Sequence, residues 1–324
     1  MSEQPAPSTT PQRSNRLVVY AALAGNLAIA VTKLVAAGIT GSSSMLSEGV
    51  HSLVDSANEL LLLHGLRRAA LPPTPAFPFG HGRELYFWAF IVALLVFALG
   101  AVISFYEGIS HILDPEPMTR PVVAYVVLAL ALLFEGMSWT VAFRAFRRTK
   151  GRFGYVQAFR RSKDPTTFTV LFEDTAALLG LLIALAGVSA SHLLEMPVLD
   201  GVASLCIGGV LAVAALLLAR ETKALLLGES ANPEVRDAIL RLAAQDPGVR
   251  TANGVFTTQL GPHQVVAALS AEFEDGMTTA EIETCVQRIE AAVKAGHPEV
   301  LALFVKPQTP EVWRQRATAL QRGR

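Results

Sequence analysis

Residues 47–59 read SEGVHSLVDSANE. This polar run lies inside a longer segment, about 43–66, that closes on the apolar stretch LLLLHGL. The fold depends on whether that segment is an amphipathic soluble helix or a membrane span with polar groups inside it. Its neighbours answer. Long apolar stretches recur at about 17–39, 85–109, 122–143, 168–189 and 198–219. Each reaches the roughly 20 residues that a helix needs to cross a bilayer. Hydrophobic residues make up 52% of the 324 and charged residues only 17%. Soluble domains usually carry about 25% charged residues. Six spans are therefore expected, and a large α/β protein with buried helices is set aside.

Charge places the spans. The linker between the second and third carries Arg67, Arg68, His81 and Arg83. The loop between the fourth and fifth carries Arg144, Arg147, Arg148, Lys150, Arg152, Arg160, Arg161 and Lys163 against one acid, Asp164. The other three loops hold almost no Lys or Arg. Basic loops stay on the cytoplasmic side, so both termini are expected there, in the inner (plasma) membrane of a bacterium. The basic loop reads as a topology signal rather than a nucleic-acid surface. Residues 1–15, rich in Pro, Ser, Thr and Gln, read as a disordered tail. The first apolar run is too long for the core of a cleavable signal peptide.

After about Glu221 the sequence turns charged and mixed. Asn232-Pro233-Glu234 has the form of a helix start, with Asn232 as cap. Asp246-Pro247-Gly248 stops that helix. Residues 249–259 and 264–273 read as strands about a Gly261-Pro262 turn. Thr278 with Glu281 three residues on has the form of a capping box, and 299–306 reads as a last strand. The expected organisation is an all-α six-helix transmembrane bundle (16–228), then an α-β-β-α-β cytosolic domain (229–307) and a weakly determined tail (308–324). Cys206 and Cys285 cannot meet on this topology, and neither makes a metal motif.

The polar groups inside the spans carry the function. His51 and Asp55 are one helical turn apart and share a face. An imidazole and a carboxylate so placed can bind a divalent cation, or can form a hydrogen bond that only fixes packing. Ionisable groups at that depth usually mark a site or a pathway. In the fifth span Glu173 and Asp174 are adjacent, so one can face the second helix while the other faces a different neighbour. Together the four offer one nitrogen and up to three oxygens. Four ligands suit Zn²⁺, and an imidazole argues against Mg²⁺ and Ca²⁺. Co²⁺, Fe²⁺, Cd²⁺, Ni²⁺ and Mn²⁺ stay open as cargo. Glu48, Asn26, Asn58, Glu59, Glu107 and Glu135 add polarity to the bundle, and Gly25, Gly49, Gly100 and Gly180 allow close helix approach.

The stretch GSSSMLSEGVHSLVDSANELLLLHGLRR, followed by FPFGHGRELYFWAFIVALLVFALGAVISFYEG and later by ALLLGES, resembles the cation diffusion facilitator family. The resemblance implies proton-coupled export of zinc or a related divalent metal, six spans, cytosolic termini, a metallochaperone-like C-terminal domain and a homodimer. It implies no prosthetic group; the metal is cargo. Carried onto this chain, the transport site comprises His51, Asp55 and Asp174. The family's other fifth-span ligand position holds Val170, which cannot bind metal, and Glu173 is the substitute. Asp164-Pro165 followed by Glu173-Asp174 is similar to the branch containing the mitochondrial zinc exporter of animals. In the linker only His81 is left of a second family site, with Thr74 and Phe77 at the other positions. His263 and His297 read as surface histidines, so the soluble domain reads as a dimerisation module. The alternatives are an intramembrane metalloenzyme, for which no HExxH motif exists, and a non-transporting metal-responsive scaffold.

Overall fold

A computed structural model describes residues 11–322, and contacts divide the chain into two compact units. Residues 1–10 of the expected tail lie outside the described residues. The first unit runs up to His64 and continues through Trp88–Arg152 and Thr166–Arg220. The second comprises Gly65–Phe87, Phe153–Pro165 and the chain from Glu221 onward.

Long helices supply the first unit: α1 (Pro11–Thr40), α2 (Ser43–Ala69), α3 (Arg83–Leu95), α4 (Val102–Leu113) and α5 (Pro121–Thr149). A short α6 (Tyr155–Arg161) lies in the basic loop, followed by α7 (Pro165–Leu193) and α8 (Val198–Leu227). A π-helical turn at Val96–Ala101 joins α3 to α4, so the third apolar run is one continuous rod with a widened turn. Among the described residues, four helices are long and apolar enough to cross a membrane: Arg83–Leu113, Pro121–Arg148, Phe168–Leu193 and Val198–Leu227. The polar run of residues 47–59 lowers the mean hydropathy of α2, so apolarity does not single out that helix.

The burial pattern reverses that of a soluble protein. Small residues such as Ala36, Ala37, Ala124, Ala131, Ala176 and Ala184 form the interior with Leu128, Leu181 and Leu211. Large apolar side chains, among them Val31, Leu130, Leu133, Leu182 and Leu216, are at least half exposed. Lys33, Glu48, His51, Asn58 and Asp200 are buried instead. Lipid tails give helices no hydrophobic reason to associate, so small residues and polar contacts must hold them together. One close crossing joins α4 and α8. A Cβ on Gly108 would stand 2.8 Å from the Gly201 carbonyl oxygen, and one on Gly201 would stand 2.9 Å from that of Gly108. Backbone meets backbone there, and no side chain can yield.

A polar lock starts α2. Its first N–H groups have no helical acceptor. Asp200, from α8, accepts from the Ser43 N–H at 2.6 Å and from the Ser44 N–H at 3.3 Å. The Ser42 hydroxyl donates to Asp200 at 3.0 Å and accepts from the Met45 N–H at 3.1 Å, while the hydroxyls of Ser43 and Ser44 also donate to Asp200. A carboxylate at a helix N-terminus is doubly favourable, because it also meets the positive end of the helix dipole. Asp200→Ala leaves these buried donors unpaired and is expected to cost about 2–4 kcal/mol. The thermal unfolding midpoint in detergent should fall, and less so for Asp200→Asn. An unchanged midpoint in the alanine variant would remove the lock from the account of stability.

The second unit contains α9 (Pro233–Ala244), β1 (Val249–Gly261), β2 (Gln264–Phe273), α10 (Thr279–Gly296), β3 (Val300–Pro307) and α11 (Pro310–Arg322). The sheet order is β1-β2-β3, with β1 and β2 an antiparallel hairpin and β3 parallel to β2. Alternate residues of β2, Val265, Ala267, Leu269 and Ala271, share a core with Ile239 of α9 and Ile289 and Val293 of α10. The Thr278–Glu281 capping box forms. Asn232 takes the cap position of α9 but makes no side-chain cap bond. The stretch after residue 308 is ordered as α11 because its tryptophan has somewhere to go. Trp313 lies over Gly254, where a Cβ would come within 2.3 Å of the indole, and its ring centroid stands 4.7 Å from that of Phe256. Cys206 and Cys285 are both free thiols.

Candidate metal centre

α2 presents its polar residues on successive turns. His51 Nδ1 stands 3.5 Å from Asp55 Oδ1, with the histidine 1% and the aspartate 21% exposed. This is an ion-pair separation without the geometry of a hydrogen bond. Both ring nitrogens of His51 and Asp55 Oδ1 are buried and lack a hydrogen-bond partner. Buried polar atoms in that condition are costly, and these are all metal-donor types, so their chemistry fits a cation.

α7 splits its adjacent acids. Glu173 turns toward α2, where its Oε1 accepts from Asn58 Nδ2 at 2.9 Å. Asp174 turns toward α5, where its Oδ2 accepts from the Ser138 hydroxyl at 3.3 Å. Glu173, Glu135 and Asp174 all act electrostatically on Asp55. Val170, one turn before Asp174, is 37% exposed. Among the described residues, no three His, Cys, Asp or Glu side chains are gathered as a ready-made metal cluster. The acids on α7 are drawn toward different helices by their own hydrogen-bond donors, apart from the His51–Asp55 pair.

A second knot of charge lies beside this pair. Lys33 of α1 is fully buried; its Nζ donates to the Ser52 hydroxyl at 2.7 Å and to Glu48 Oε2 at 3.3 Å. Glu135 Oε1, from α5, is 3.8 Å away. The other Glu48 oxygen has no hydrogen-bond partner and lies over Gly180, where a Cβ would come within 2.1 Å of it. Asn26 of α1 donates to Glu59 at 2.8 Å. Sequence reasoning singled out Glu48 and passed over Lys33. The signal was present, since a lone lysine in the middle of an apolar run obeys the rule that drew attention to His51.

The sequence of this bundle has counterparts among known proteins. Residues 19–227 match the cation efflux transmembrane domain. The chain belongs to the cation efflux family. The match ends at Leu227, the last residue of α8. The chain is 33% identical over 271 residues to the mitochondrial proton-coupled zinc antiporter SLC30A9 of Mus musculus, covering 82% of this chain and 48% of that protein. Its human counterpart is 34% identical over 272 residues, with the same coverage. The chain thus spans about half the length of these animal relatives. The cation-efflux pump FieF of Cronobacter sakazakii is 29% identical over 286 residues, covering 87% of this chain and 90% of that one.

His81, His263 and His297 lie in the second unit. His81 is 8% exposed, with its ring centroid 4.6 Å from that of Phe77. His263 is exposed, and His297 Nδ1 stands 3.1 Å from Glu299.

Proposed function

We propose that this protein moves divalent metal ions, Zn²⁺ first among them, out of the cytoplasm in exchange for protons. The observation that carries the reading is the buried His51–Asp55 pair, whose nitrogens and inner oxygen lack hydrogen-bond partners. His51, Asp55, Asp174 and Glu173 are the proposed ligands. Bringing the α7 acids to the α2 pair requires each to exchange its present donor for the ion. Such an exchange is a natural step in alternating access, where the site opens to one side at a time. The imidazole favours zinc over harder ions. An imidazole is also a group that can exchange a proton for a metal ion.

The reading includes six membrane-crossing helices, α1 and α2 among them, with both termini cytoplasmic. The basic loops at residues 67–83 and 144–163 support that orientation. It also includes pairing of the metallochaperone-like C-terminal domain in a homodimer, to be checked by detergent-corrected light scattering against the chain mass of 34.6 kDa. The bundle carries the chemistry of a carrier, and no step of catalysis is assigned to it.

Flux tests the function. Vesicles holding the protein with its C-terminal domain outside should take up Zn²⁺ when their lumen is acidic, and the uptake should dissipate the pH gradient. Zinc entry that leaves the gradient intact would overturn proton coupling. No entry at all would overturn transport.

A further inference from the structure

A pathway for cations contains, at its centre, a buried cation of its own. Six carboxylates line or adjoin the polar interior: Glu48, Asp55, Glu59, Glu135, Glu173 and Asp174. So many acids in a medium of low dielectric would hold a divalent ion too tightly to release it. Lys33 is placed to offset them. Its ammonium is held at 2.7 Å by Ser52, the residue next to His51, and at 3.3 Å by Glu48. Its charge acts on both His51 and Asp55. The side chain is anchored as well as charged, since it reaches across from α1 to α2 with Glu135 of α5 on its other side.

We propose that Lys33 sets the affinity of the metal centre, its fixed positive charge weakening the hold on the transported ion enough for release. This rests on the metal-binding reading of His51 and Asp55. Lys33 touches no ligand atom of the proposed set, so it is a positioning residue that acts through the field and through Ser52. Glu48 is its counterpart with the opposite sign, and Gly180 provides the space that Glu48 needs.

The test is a charge series measured by Zn²⁺ calorimetry on the full chain in detergent, with vesicle flux alongside. Lys33→Met removes the positive charge beside the site and should tighten Zn²⁺ binding by about 10–100-fold. It should lower KM while also lowering maximal flux, because release becomes slow. Lys33→Arg should stay within a few-fold of wild type. Glu48→Gln should weaken binding by a similar factor. The Lys33→Met/Glu48→Gln double variant, in which the two charges are lost together, should return close to wild type. A purely structural lysine would instead give weaker binding in Lys33→Met and no return in the double variant. If Lys33→Met fails to fold with Glu48 left unpaired, Glu48→Gln and the double variant still report the sign. Affinity that is flat across the series, or that falls in Lys33→Met, overturns the inference. Wild-type zinc binding that Asp55→Ala abolishes would show the metal reading intact in that case. Wild-type protein that binds no zinc would sink both.

Discussion

Asp55→Ala and Asp174→Ala are each expected to abolish zinc flux while the protein still inserts and folds. Asp55 stands beside His51 with its inner oxygen unpartnered, so the folded state relies on it for no hydrogen bond through that atom. The variant without ion should therefore still fold. Zinc binding is the property that suffers. A divalent ion in a low-dielectric interior needs its charge matched, and losing one carboxylate of a small set should weaken affinity by orders of magnitude. Asp174 makes one hydrogen bond, from Ser138. Its loss should likewise cost little folding energy and most of the binding. Calorimetry and vesicle flux, with gel filtration to certify the fold, provide the measurements. Wild-type affinity in Asp55→Ala would refute the site.

Glu173→Gln should weaken zinc binding by more than about 100-fold, beyond the roughly 10–100-fold typical of a group that only orients a ligand. The reason lies in where α7 points. Val170 is a partly exposed hydrocarbon, so the turn before Asp174 offers the ion nothing. Glu173 is 8% exposed and already turned to α2, held there by Asn58 one turn beyond Asp55. Glutamine keeps the size and an oxygen for Asn58 but removes the charge that a cation needs. A loss of tenfold or less would place Glu173 outside the ion's shell and leave three protein ligands.

Much of this protein was legible in its sequence because the deciding signals are local. The length of the long apolar helices is read within short windows. So are the Thr278–Glu281 capping box and the α-β-β-α-β order of the C-terminal unit, which the structure reproduces. What local pattern could not supply is rotation and partnership. Helices that are apolar nearly all round carry no stripe to show which face turns inward. Sequence therefore placed Glu173 and Asp174 on different faces without saying which faced α2. Tertiary packing sends Glu173 to Asn58 and Asp174 to Ser138. It joins Asp200 to the start of α2 from the far end of the bundle sequence, and seats Trp313 over Gly254 to order a tail that looked weakly determined. It also buries Lys33 between two glutamates from different helices. The donor types of the candidate site were fixed by sequence spacing, and the charge that surrounds them only by how the helices turn against one another.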